Sequence, residues 1–246
     1  MRQAKKQPKR YNKSFVRETE VDTFSNHRQL KKDILIVPRS VNQEAYTEQL
    51  LDPQTIVTFG IGPAGTGKTM LAVLAAIREL KNNNVEKIVV TRPAVGVDDE
   101  KHGFLPGDIN AKMEPWTRPI FDILFEYYHP KQVEAMIEDG VIEISPLAFM
   151  RGRTFKNSFI IADEMQNASP NQMKMLLTRI GENSQMVVTG DVRQTDKRDS
   201  ENGLLDFEKL LSQYGETSFI EVTRFVNNDI ERHPVVSEVL KIYNED

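Results

Sequence analysis

Residues 55–69, TIVTFGIGPAGTGKT, limit what this chain can fold into more than any other stretch. A β-forming run enters Gly62-Pro63-Ala64-Gly65-Thr66-Gly67-Lys68-Thr69, a full match to G-x-x-x-x-G-K-[ST], and a helix-forming run follows. Glycines at these positions let backbone N–H groups turn inward around phosphate oxygens, beside the positive end of the next helix. In such a loop the lysine, Lys68, neutralises the β- and γ-phosphates, and the hydroxyl of Thr69 binds Mg²⁺. By itself the loop says only that phosphate is held. Transfer, switching and motion along a polymer all remain open.

The surrounding pattern supplies a sheet for that loop. Apolar, β-branched runs occur at 34–37 (ILIV), 55–61, 87–91, 141–145, 158–163, 185–190 and 218–222. Helical patterns fall between them at 42–51, 68–82, 109–127, 130–138, 170–181, 202–213 and 229–243. Near-continuous apolar strands separated by helices predict an α/β fold, a mostly parallel sheet with helices on both faces. Ligands on such a sheet sit beyond the carboxyl ends of the strands. The expected organisation is one domain over 33–246 behind a basic tail, 1–32. Residues 93–118, rich in proline, glycine and charge, interrupt the alternation, as functional loops do.

Charge is unevenly placed. Residues 1–17 hold seven of the chain's 32 basic side chains and none of its 36 acids, so the remainder carries about −11. The tail is readable either as a solubilising end or as a phosphate-seeking arm. The chain has no cysteine, which removes disulfides, thiolate metal sites and a cysteine nucleophile. His27, His102, His129 and His233 lack the spacing of metal ligands. No apolar run reaches the roughly 18 residues of a membrane span, and the basic start is unlike a signal peptide, so no membrane partner and a cytoplasmic setting are expected.

Two further strand ends carry chemistry. SFIIAD closes on Asp163 and Glu164. Mg²⁺ at a P-loop needs an oxygen ligand from another strand, and Asp163 fits that role. Glu164, one residue on, is placed to polarise an attacking water, which points to hydrolysis. QMVVTG leads into Gly190-Asp191-Val192-Arg193-Gln194, where neutral Gln194 can hydrogen-bond a γ-phosphate or its water. The apolar MKMLL of 173–177 reads as helix core.

A P-loop, then Asp-Glu-x-Gln, then Gly-Asp-x-x-Gln resembles the first motor domain of superfamily 1 helicases. The fuller text is similar to the PhoH family of ATPases, through FGIGPAGTGKT (59–69), VVTRPAV (89–95), GFLPGD (103–108), PLAFMRGRTF (146–155), ADEMQNASPNQMKMLLTRIG (162–181), MVVTGDVRQTD (186–196) and ERHPVV (231–236). DEMQNAS departs slightly, with methionine and alanine where the family commonly has alanine and threonine. The chain also looks like a short form, as bacteriophage members often are; its setting is then the host cytoplasm. The resemblance implies a RecA-like P-loop NTPase using ATP and Mg²⁺. It implies that Gln43 pairs with adenine, that Arg92, Arg151 and Arg153 contact nucleic-acid backbone, and that Arg232 is an arginine finger, with Arg179 and Arg193 as rivals.

A lone motor domain leaves one side of the γ-phosphate open. A ring in which each subunit lends an arginine to its neighbour closes it, so the leading expectation is a hexameric ATPase coupled to RNA or single-stranded nucleic acid. Two other classes stay open: a small P-loop kinase, and a nucleotide-switched RNA-binding module.

Overall fold

The computed structural model describes residues 34–93, 109–195, 201–231 and 234–242. Its strands are β1 (Val57–Ile61), β2 (Lys87–Thr91), β3 (Ile142–Ile144), β4 (Ser158–Ala162), β5 (Gln185–Gly190) and β6 (Ile220–Arg224). Its α-helices are α1 (Val41–Leu51), α2 (Lys68–Lys81), α3 (Ile109–Tyr127), α4 (Pro130–Glu138), α5 (Pro170–Leu177), α6 (Gly203–Tyr214) and α7 (Pro234–Ile242).

All six strands join one sheet in the order β3-β2-β4-β5-β1-β6, and every pairing is parallel. Alternate side chains feed two cores, because successive Cβ atoms of a strand point to opposite faces. Ile88, Val90, Phe159 and Ile161 face the layer of α1–α4, packing with Leu50, Leu71, Leu124 and Val133. Val89, Ile160, Ala162, Phe59 and Val188 face the other way, against Met173 and Leu176 of α5 and Leu204 of α6. Both faces of the central strands are therefore dry, which is why they read as unbroken apolar runs. This is the expected RecA-like α/β P-loop fold.

Beside end shifts of one or two residues and a last helix that starts at Pro234 rather than 229, three differences from the sequence reading have a packing reason. ILIV at 34–37 is not a strand: the segment joins no ladder, Leu35 is 74% exposed, and Ile34 and Ile36 pack on the core of the α1–α4 layer. Alternate burial, the signature of a strand, is satisfied here by side-chain packing alone. The last strand lies two residues later than 218–222, because Phe219 O accepts from Ile56 and Val57 and the ladder with β1 starts at Ile220. Phe225 then reaches Tyr46, edge to face at 5.3 Å. The helix expected to run to 181 stops at Leu177, where the chain turns so that Ile180 can bridge to Phe155.

The basic tail, residues 94–108 of the proline- and glycine-rich excursion, and Arg232 lie outside the described residues. His129 acts as a helix cap, its ring accepting from the Lys131 amide at the start of α4. Among the described residues no helix is long and apolar enough to cross a membrane.

Candidate nucleotide and hydrolysis site

Four strand ends meet above the sheet: β1 runs into the P-loop, β4 into Asp163–Glu164, β5 into Asp191–Gln194, and β2 into Arg92. The order of the sheet puts β5 between β1 and β4, so the turn carrying Gln194 rises between the phosphate loop and the two acids. The first three of those strand ends line one cleft of about 300 Å³, with Gly65, Lys68, Thr69, Asp163, Glu164, Asp191 and Gln194 on its walls. Pro119 and Ile123 of α3 close one side.

Glycine is required at Gly62 and Gly67 for different reasons. A Cβ on Gly62 would fall 2.4 Å from the Phe225 carbonyl oxygen. Gly67 takes φ +79° as the N-cap of α2, and no side chain caps that end. The first-turn amides of α2 are thus available to an anion. Lys68 is 8% exposed, and its Nζ donates to Gly62 O at 2.7 Å and Pro63 O at 2.6 Å. Burial pushes its ammonium below the ordinary lysine range, against the pull of Asp191, Glu164 and Asp163. A phosphate in the cleft would give this strained cation a charged partner.

Asp163 Oδ1 accepts from Thr69 Oγ1 at 2.8 Å and from Thr189 Oγ1 at 2.5 Å, leaving Oδ2 outside both bonds. Thr69 and Asp163, expected together at a metal, are therefore in contact. A hydroxyl and a carboxylate are the hard oxygen donors that Mg²⁺ takes, with waters and phosphate oxygens completing its shell. Among the described residues no cluster of three or more histidines or acids forms a separate metal cage.

Glu164 stands in the left-handed region, φ 55° and ψ 39°. The other non-glycine residues with positive φ among those described are all asparagines, which tolerate it. Strain of this kind costs about 1–3 kcal/mol and persists where surroundings enforce it. Here they do: Glu164 Oε2 accepts from Gln166 Nε2 at 2.5 Å, and Oε1 pairs with Arg92 at 3.4 Å.

Gln166, 1% exposed, is a hub that sequence reasoning passed over. Its Nε2 also reaches Gln194 O at 3.3 Å, and its Oε1 accepts from the Asp191 amide at 3.2 Å. The one side chain ties the strained acid to the turn bearing Gln194, whose exposed side chain lines the cleft. The signal for it was the glutamine that closes Asp-Glu-x-Gln, between Met165 and Asn167. Thr189, which reads as one more β-branched strand residue, gave none.

The other expected residues sit around this centre. Gln43 is buried behind the P-loop, donating to Thr66 O at 3.2 Å and accepting from the Arg39 amide at 2.8 Å. Arg92 faces Glu164. Arg153 pairs with Glu143 and lies over the Phe155 ring at 4.5 Å, whereas Arg151 is exposed. Arg179 donates to Met175 O, Arg153 O and Thr178 Oγ1, and Arg193 is exposed. Glu231, which precedes Arg232, donates its amide to Gly65 O at 2.9 Å and pairs with Arg39 at 2.6 Å.

Comparison with known proteins gives one consistent match. A family model described as PhoH-like protein matches residues 35–244. A PhoH-like protein of Bacillus subtilis (strain 168) is 45% identical over 190 residues, 77% of this chain and 58% of that protein. One of Synechocystis is 45% identical over 188 residues, 76% of this chain and 56% of its own length. Protein PhoH of Escherichia coli (strain K12) is 36% identical over 234 residues, 94% of this chain and 64% of that protein. The chain thus spans less than two thirds of the length of these relatives. Among solved structures, a Sulfolobus solfataricus SWI2/SNF2 ATPase core in complex with dsDNA matches with a TM-score of 0.43 at 14% identity, over 80% of this chain and 47% of that one. Pif1 helicase from Candida albicans matches with a TM-score of 0.39 at 15% identity, over 85% and 44%. Both are distant likenesses.

Proposed function

The chain belongs to the PhoH family, and from that premise we propose that it is a Mg²⁺-dependent ATPase whose hydrolysis is coupled to RNA or single-stranded nucleic acid. The observation that carries the reading is Glu164, strained into the left-handed region at the lip of the phosphate cleft and bonded through Gln166 to the Gln194 turn. A kinase would turn the γ-phosphate toward a second substrate. A carboxylate and a neutral glutamine joined by one buried amide suit a water instead.

In this mechanism the α2 amides and Lys68 hold the β- and γ-phosphates. Lys68 exchanges its bonds to Gly62 and Pro63 for phosphate oxygens. Thr69 and Asp163 hold Mg²⁺, which when bound offsets the charge of the phosphates. Glu164 accepts the proton of the attacking water, and Gln194 orients that water. Adenine falls to Gln43, which would release Thr66 O or the Arg39 amide to pair with it. Arg92 supplies the coupling: its guanidinium occupies Glu164 Oε1, and a backbone phosphate that draws Arg92 away leaves that oxygen to the attacking water. Arg151 and Arg153 extend the contact to further phosphates.

The oligomer completes the site. Arg179 has its guanidinium committed to Met175, Arg153 and Thr178, which leaves Arg193 and Arg232 as fingers for a neighbour's nucleotide in a hexameric ring.

Phosphate release without any added acceptor tests the reading, with and without a single-stranded oligonucleotide. Glu164→Gln should lower turnover about 10²- to 10⁴-fold while ATP still binds. Normal hydrolysis by that variant sinks the base assignment, and dependence on a small acceptor sinks the ATPase reading in favour of a kinase.

A further inference from the structure

We propose that Phe149 is a stacking platform for an unpaired base, so that the strand this protein engages is read as single rather than paired. This rests on the nucleic-acid coupling proposed above and names the contact that selects the form of the polymer.

The loop between β3 and β4 is built as a pedestal. One turn of 3-10 helix, Leu147–Met150, is anchored at both ends, with Leu147 and Met150 buried in the α5–α6 core. Its backbone is tied down three times: Leu147 N–H to Arg92 O at 3.3 Å, Phe149 N–H to Pro146 O at 2.8 Å, and Arg153 N–H to Met150 O at 3.2 Å. Between those anchors Phe149 stands out 60% exposed. Two core anchors and three backbone bonds fix the turn that carries this exposed ring.

Arginines follow it in the chain. Arg151, two residues on, is exposed. Gly152 takes φ +80°, which reverses the chain and brings Arg153 back to Phe155 and Glu143. The hydrogen bond from Leu147 N–H to Arg92 O joins the pedestal's backbone to the strand end that carries Arg92, whose guanidinium pairs with Glu164. Exposed aromatic rings on a cationic segment are how proteins hold single strands: cations follow the phosphates and the ring takes the face of a base. A duplex hides its base faces within the stack, so a ring that needs one selects an unpaired nucleotide. The exposed Tyr214 and Phe219 do not share this setting, because they precede β6 at the end of the sheet away from the P-loop.

The test is anisotropy of a labelled 12-nucleotide oligouridylate, and of an abasic strand of equal length and charge, on the full chain. Phe149→Ala and Phe149→Leu should each weaken binding of the base-bearing strand about 5- to 150-fold, Phe149→Trp should retain it, and all should bind the abasic strand like wild type. Arg151→Ala should lower the salt slope by about 0.7, which the Phe149 variants leave unchanged. ATP turnover without nucleic acid should be the same in the Phe149 variants as in wild type. Equal binding of the base-bearing strand by Phe149→Ala overturns this proposal and leaves the ATPase reading standing. A change in assembly mass with no change in base-dependent binding also overturns it, and makes Phe149 a subunit contact. Wild-type protein that binds neither strand overturns the coupling reading and this one with it.

Discussion

Replacing Gln166 with leucine isolates the hub of the site. The two side chains are close in bulk, so the change removes polar partners and leaves the core filled. Three groups lose a bond: the Asp191 amide, the Glu164 carboxylate and the Gln194 carbonyl. Asp191 is buried, and an orphaned buried N–H costs about 1–3 kcal/mol. The Glu164 side chain is 37% exposed and regains water, so its loss is no more than about 1 kcal/mol. Gln194 is exposed, and its carbonyl loses almost nothing. The sum is about 1–4 kcal/mol, or roughly 2–16 °C in melting temperature for a domain of this size. Turnover should fall about 100-fold if the proposed roles of Glu164 and Gln194 hold, because the two are no longer held together. Gln166→Glu sharpens the test. It keeps an acceptor for Asp191 but sets two carboxylates side by side, which raises their folded pKa values. Its stability should therefore be greater in acid and fall as pH rises through those values. Thermal melts across pH, with initial ATPase rates, decide the matter. A Gln166→Leu protein that melts within about 1 °C of wild type and hydrolyses ATP normally refutes the hub.

Two other changes probe the same architecture. A Cβ at Gly190 would lie 2.6 Å from Leu204 Cδ2 and 2.7 Å from Gln166 Oε1, so Gly190→Ala should cost about 1–3 kcal/mol in urea unfolding and reduce turnover. Because both changes act on Gln166, its cost should not add to that of Gln166→Leu. At the sheet edge, burial pushes the Glu143 carboxyl up, but Arg153 and Lys87 outweigh it and hold it below its ordinary 4.5. The stability it contributes is present above the ordinary carboxyl range and lost as pH falls through the lowered value. Urea midpoints between pH 3 and 6 should therefore decline less steeply for Glu143→Gln than for wild type.

Much of the site was readable because its parts are local. A phosphate loop needs its glycines, lysine and threonine within eight residues, and an acid that ends an apolar strand is visible as such. ILIV misled because alternating burial arises from any surface that an extended segment lies on, and the sequence does not say whether a ladder is also present. Arg153 shows the same limit. Its place in the sequence does not say that β3 brings Glu143 beside its guanidinium.

What the sequence alone determined is therefore most of the elements and the residue types that close the central strands, since both follow from short-range spacing and side-chain chemistry. The tertiary structure decided how those groups meet. The strand order inserts β5 between β1 and β4, and that insertion gives Asp163 its bond from Thr189, sets Gln194 between phosphate and acid, and lets one buried glutamine hold Glu164 in a strained conformation. These pairings join residues about 25 to 95 positions apart in the chain, 26 for Thr189 with Asp163 and 94 for Thr69 with Asp163. Contacts over that span depend on which strands become neighbours, and that is settled by packing the whole sheet at once.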